Sequence, residues 1–139
     1  MMPYFTAHSH LSLLSTTIVS DLSEKERFLS SVINALNKDE FLAASASMAQ
    51  ALVLRSQVYS NKFIAAASSD MEHLDNARAD AIRAAALDPH HPTVWRILAT
   101  IEEDRKDVTA AIRALTNWAT YQPLFSTKVQ KEISRLSSR

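Results

Sequence analysis

Apolar residues recur along this chain at intervals of three and four positions, with polar residues between them. That is the period of a helix with one buried face. Val and Ile are scattered singly and never alternate with polar residues over the length of a strand, so the pattern predicts an all-α chain of six or seven helices. One helix is expected through Phe28, Leu29, Val32, Ile33 and Leu36, closed by the polar turn Asn37-Lys38-Asp39. The next carries Phe41, Ala44, Met48, Ala51 and Leu54. Two helices or one long one fit the stretch from Glu40 to Ser68, because no breaker lies inside it.

Later boundaries are marked more sharply. Pro92 is expected at the first helical position, where its missing N–H costs nothing, opening a helix through Val94, Trp95, Leu98 and Ile101. Asp104-Arg105-Lys106-Asp107 makes the turn, and Asp107 is placed to cap a helix bearing Val108, Ala111, Ile112 and Leu115. That helix must finish before Pro123, since the residue ahead of a proline resists the α region. Ser126 or Thr127 then caps a terminal helix with Val129, Ile133 and Leu136 on one face.

The chain also repeats itself. Sliding Asn61–Pro89 onward by 34 residues lays Ile64 on Leu98, Ala65 on Ala99, Leu74 on Val108, Ala77 on Ala111, Ala81 on Leu115 and Pro89 on Pro123. Two helices and a turn at this period resemble the tetratricopeptide repeat. Residues 58–125 carry the likeness. Trp95, Leu98 and Ala99 stand where that family has its Trp, Leu and small residue; Ala77, Ala84 and Pro89 stand at its small packing residues and closing proline, with Ala111 and Pro123 repeating the pattern.

The resemblance implies a short right-handed solenoid of about three antiparallel helix pairs with a C-terminal capping helix. Its divisions would be a leader or N-terminal helix over 1–21, then a helical domain over 22–139. Within that domain lie a degenerate repeat at 25–57, repeats at 58–91 and 92–125, and the cap at 126–139. Independently of the family, paired helices approach within about 8–10 Å only along a seam of small side chains, which Ala65, Ala77, Ala84, Ala99 and Ala111 supply. Ile64, Leu74, Leu87, Trp95, Leu98 and Leu115 are then expected to fill the gaps between layers. Trp118 takes a position where the family has a small residue, so the stack should end there under the terminal helix.

Composition narrows the chemistry. Of 139 residues none is Gly and none is Cys. Glycine-rich phosphate loops, dinucleotide fingerprints, glycine-dependent turns, disulfides and thiolate metal sites are all excluded. The absence of thiols leaves the compartment open. Formal net charge is zero, so there is no general electrostatic grip on nucleic acid or membrane. Acids crowd the stretch Asp70–Asp107, while Lys128, Lys131, Arg135 and Arg139 face only Glu132 in the tail. No aromatic residue interleaves those bases, as stacking on a nucleic acid would need. No apolar run approaches the roughly 18 residues of a membrane span. The first twenty residues hold no Lys, Arg, Asp or Glu, which fits neither a secretory signal nor a transit peptide.

Candidate catalytic or metal constellations are thin. His90-His91 beside Asp88, and His8-Ser9-His10, are the only histidine clusters, and neither has the donor set of a metal site. His73 beside Glu72 reads as a solvated pair, and Glu102 with Lys106 as an ordinary i, i+4 pair. No catalytic residue, metal or cofactor is therefore assigned. What remains is recognition of protein. By the resemblance, the first helices of successive pairs line a concave groove for a peptide or helix, presenting Tyr59, Lys62, Ala66 and Ser69, then Thr93, Arg96, Thr100 and Glu103. Leu29, Ile33 and Leu36 would join from the degenerate repeat. The Lys, Asn and Arg clamp by which some members hold acidic chaperone tails is replaced here by Leu29, Ile33, Phe63, Thr93 and Ile97. Function is accordingly expected to be that of an adaptor, a subunit or assembly factor of a larger complex. A secretion-type chaperone holding a client segment is the second expectation, and a helical metal protein or enzyme the third.

Overall fold

In the computed structural model, the backbone of residues 7–38 and 45–138 and the side chains of residues 20–38 and 46–138 are described. Within these limits the chain is all-helical: α1 (Ala7–Lys38), α2 (Ser45–Ala65), α3 (Met71–Leu87), α4 (Val94–Asp104), α5 (Val108–Tyr121) and α6 (Ser126–Ser137), with a 3-10 turn over Pro123–Phe125. Each helix from α1 to α6 packs on the next in sequence, and α2 also touches α4.

The seam between α2 and α3 shows why the sequence nests so closely. On α3, Leu74, Ala77, Ala81 and Ala84 lie at i, i+3, i+7 and i+10, and all are fully buried. The small residues of that stripe let α2 approach closely, and Ala49, Leu52 and Val53 of α2 are buried in the same core cluster. Ser56 of α2 donates its buried hydroxyl to the Ala77 carbonyl at 2.8 Å, so even the polar atom in the seam is satisfied. Full burial of Leu52 and Leu74 stabilises the fold by about 2 kcal/mol each.

Helix starts are fixed by side chains. The Asp70 carboxylate accepts the Glu72 N–H and opens α3; that of Asp107 accepts the Ala110 N–H and opens α5. At α4 the helix begins at Val94, two residues after the position expected for Pro92, because Pro92 and Thr93 stay in a turn. Thr93 makes no side-chain cap; its own N–H is taken by His91 Nδ1 at 3.2 Å.

Several expectations change. Residues 45–65 form one helix, so the division drawn at 57/58 falls inside α2 and that at 21/22 inside α1. Nothing between Gln57 and Asn61 breaks a helix, and hydrogen bonding continues through them. Of the degenerate repeat, Met48 and Ala51 are buried but Leu54 is exposed, while Phe41 and Ala44 lie outside the described residues. Ile64, expected between layers, is 61% exposed. Since α2 is continuous, its phase is set along its whole length, and Leu54, Gln57, Asn61 and Ile64 form one open stripe at three- and four-residue intervals. Turns also reach positive φ without glycine, at Ala67, Ser68 and Lys106. The bonds Ser68 N–H to Phe63 O and Asp107 N–H to Glu102 O close both helix ends.

Trp118 is buried in the core with Val129, Leu136 and, at its edge, Ile133 of α6. Its ring stacks on Phe125 at 5.0 Å, its Nε1–H donates to Gln122 Oε1 at 2.9 Å, and the Lys128 ammonium lies over it at 5.9 Å. Trp95 keeps one edge exposed, stacks on Tyr121 at 5.8 Å and donates to the Pro89 carbonyl at 2.8 Å.

Candidate functional site

Three hollows adjoin along one face among the described residues. The first, about 340 Å³ between α1 and α2, is walled by Leu22, Phe28, Leu29, Leu54 and Val58 with Lys25 at its edge. The second, about 400 Å³ between α2 and α4, holds Ser60, Ile64, Arg96, Ile97, Thr100 and Asp104. Gln57 and Asn61 line both. A third, about 200 Å³, lies where α4, α5 and α6 meet over Ala99, Leu115 and Trp118, and shares Arg96 and Thr100 with the second. Sharing these walls, the three lie side by side in a row, a shallow trough from α1 to α6.

The trough exists because α2 and α4 contact only briefly, leaving the open stripe of α2 facing Arg96, Ile97, Thr100 and Asp104, a stripe of α4 at the same helical spacing. Apolar side chains left in water accompany it: Phe28 is 68% exposed and Leu54 39%.

Charges around the trough are mostly consumed within the molecule. Arg135 of α6 grips both carboxylate oxygens of Glu103 at 2.9 and 3.1 Å and also Glu132 at 2.7 Å, which holds its guanidinium firmly charged. Lys25 meets Asp21 at 3.4 Å. The side chains of Arg96 and Asp104 make no hydrogen bond or ion pair among the described residues. Burial, with Glu103 nearby, raises the Asp104 carboxyl above the usual aspartate range, against a smaller lowering by Lys106.

The residues expected to line the groove are divided by the structure. Arg96 and Thr100 line the trough, with the Thr100 hydroxyl turned to the Arg96 carbonyl at 3.1 Å; Glu103 borders it at α6 while bound to Arg135. Lys62 is held by Glu26 of α1 at 2.8 Å and, with Ala66, borders a separate hollow beside Ser23 and His73. Tyr59 lies under the Arg55 guanidinium at 5.9 Å, and burial raises its hydroxyl above the usual tyrosine range. Ser69 bonds the Ala66 carbonyl within its turn, and Thr93 is engaged by His91. Leu29 lines the α1–α2 hollow, but Ile33 is core and Leu36 packs against it. The seam alanines Ala77, Ala84 and Ala111 are fully buried, and Ala99 and Leu98 nearly so; Ala65 packs on the small cluster of Leu22, Leu29 and Val58.

Sequence spacing missed two polar clusters. Glu102 is not paired with Lys106: it is buried, accepting from Arg78 of α3 at 3.0 and 3.1 Å and from Arg105 at 2.9 Å. Arg55 of α2 makes a bidentate bond to Asp80 of α3 at 2.7 and 2.8 Å and reaches Ser30 of α1 at 3.2 Å. Arg78 and Glu102 are 24 positions apart and Arg55 and Asp80 are 25, beyond any helical spacing rule.

The histidines separate. His90 is exposed with its ring edge-on to Tyr121 at 5.0 Å, whereas His91 is buried, its Nε2 2.6 Å from Gln50 Oε1. His73 lies 3.3 Å from Asp70, and His8 and His10 fall outside the described side chains. No cluster of three or more His, Cys, Asp or Glu that could hold a metal occurs among the described residues, and no described helix is long and apolar enough to cross a membrane. Compared with known proteins, the chain matches no protein-family model and no curated sequence.

Proposed function

We propose that this chain is a non-catalytic adaptor for protein–protein contact, a short tetratricopeptide-like solenoid that serves as a subunit or assembly factor of a larger complex. The observation that carries the reading is the trough. It is a row of three hollows, is bounded by helices α1, α2, α4 and α6, and leaves Phe28, Leu54 and Ile64 in water beside uncommitted polar groups. Apolar surface rimmed by polar residues is the ordinary composition of a protein-binding site. The repeat at 34 residues and the buried alanine seam support the solenoid assignment.

The test is to fill the trough. Gln57→Trp with Thr100→Trp should release a partner that copurifies with the full chain from its native source, with helicity unchanged by circular dichroism. Arg113→Trp on exposed α5 surface should retain it. Equal retention by both variants, or equal release, overturns the reading.

A secretion-type chaperone is favoured by one feature, the apolar α1–α2 hollow, which suits a client's apolar segment. A client that is held only before its export, and lost on Phe28→Ser, would select this reading over a stable stoichiometric complex.

A further inference from the structure

The α2–α4 hollow has an electrical polarity that specifies its occupant. Arg96 and Asp104 stand at its two ends, eight residues apart on one helix, hence separated by about 12 Å along the α4 axis. Neither side chain has a hydrogen-bonding or ion-pairing partner among the described residues, although those of the neighbouring Glu102, Glu103 and Arg105 are all paired. The α4 wall carries largely buried Ile97 next to Arg96, and Thr100 midway between the ends; the α2 wall carries exposed Ile64. Gln57, Ser60 and Asn61 complete the α2 wall, and their side chains make no hydrogen bond among the described residues.

We propose that this hollow binds an extended segment of a partner protein with the pattern acid–x–apolar–x–base, the acid on Arg96 and the base on Asp104. The proposal rests on the adaptor reading and goes further by naming the partner's chemistry. In an extended chain, residues i, i+2 and i+4 point to the same side. At about 3.3 Å per residue, i and i+4 are about 13 Å apart, which matches the separation of the two charges. The central apolar side chain then lies opposite Thr100 and meets exposed Ile64. An extended segment leaves its backbone N–H and C=O groups unsatisfied, and two amides and a hydroxyl on the α2 wall offer both donors and acceptors to them. A helical occupant satisfies its own backbone and would leave those three side chains unused. Charge order also sets direction, because the reversed segment would bring like charges together at both ends.

The experiment is selection of a displayed library of random 12-residue peptides on the immobilised full chain. Acid–x–apolar–x–base should be enriched. Arg96→Glu should change the preferred first residue from acid to base while leaving the last unchanged, and Arg96→Glu with Asp104→Lys should select base–x–apolar–x–acid. Because Arg96 is exposed, the single variant keeps the test available should the double variant fold poorly. Enrichment of another pattern, of helical spacing, or of peptides indifferent to Arg96 overturns the proposal. If such peptides are still lost on Gln57→Trp, the trough remains a protein-binding surface and only its stated preference falls. Enrichment of nothing removes both.

Discussion

Arg55 on α2 and Asp80 on α3 form a two-pronged ion pair, Nε to Oδ2 at 2.7 Å and Nη2 to Oδ1 at 2.8 Å, at the edge of the alanine seam. The Asp80 side chain is only 9% exposed and that of Arg55 19%. The hydrogen bond to Asp80 is the main reason the guanidinium is held still more firmly charged than usual. Its remaining nitrogen, Nη1, donates to the Ser30 hydroxyl, so one side chain ties three consecutive helices together.

Removing one partner should therefore cost more than the pair contributes. Asp80→Ala leaves a half-buried guanidinium without its carboxylate and should destabilise by about 2–3 kcal/mol, below the figure for a fully buried pair because Arg55 keeps some water. Arg55→Met with Asp80→Leu should recover most of that loss. Urea unfolding of the three chains checks it, and a double variant as weak as the single one would show that the pair itself holds the seam.

His91 does for α4 what a side-chain cap does elsewhere. Its Nδ1 accepts the Thr93 N–H, so the ring proton belongs on Nε2, from which it is donated to Gln50 Oε1 at 2.6 Å. His91→Ala should cost about 1–2 kcal/mol, by loss of a cap and of a part-buried link to α2. Nitrogen chemical shifts in the intact chain should report Nδ1 as the unprotonated atom. The opposite tautomer would mean that Thr93 is capped in some other way.

Much of this architecture is legible from spacing alone, because helix period, prolines and capping aspartates act over a few residues. Asp107 caps α5 and α5 ends ahead of Pro123, as the local pattern implies, and Trp118 lies under α6, as its place in the repeat alignment implies. What spacing does not carry is long-range. Asp80, which pairs with Arg55, and Arg78, which pairs with Glu102, lie on another helix, and the phase that turns Ile64 outward is set by the uninterrupted length of α2. Groove residues inferred from helical position alone ignore such partners, which is why Lys62 is found on Glu26 rather than in the trough.

The absence of glycine is a second case where composition misleads. Lys106 adopts φ 67° at the end of α4, a conformation that costs a non-glycine residue about 1–2 kcal/mol. It is tolerated because the Asp107 N–H to Glu102 O bond and the Asp107 cap determine the turn from both sides. Lys106→Gly should relieve the strain and stabilise by about 1 kcal/mol after the glycine's greater unfolded-state entropy is counted. A thermal melt measures it, and an unchanged or lower midpoint would place the strain elsewhere.

Asp104 is held at a cost of the same kind. Burial and then the neighbouring Glu103 disfavour its charge, and as the last residue of α4 it also faces the negative end of the helix dipole. A carboxyl raised in the folded state binds its proton more readily there than when unfolded. The penalty is therefore absent below the ordinary aspartate value of about 3.9 and is complete once the pH exceeds the raised folded value. Asp104→Asn should accordingly stabilise by about 0.3–1 kcal/mol at pH 7, and its advantage should shrink as pH falls toward that ordinary value. Parallel denaturation of both chains between pH 4 and 7 follows the difference directly. A variant less stable than the parent at pH 7 would mean that the carboxylate is satisfied in the free protein. In that case no partner's base would be needed to neutralise this end of the trough.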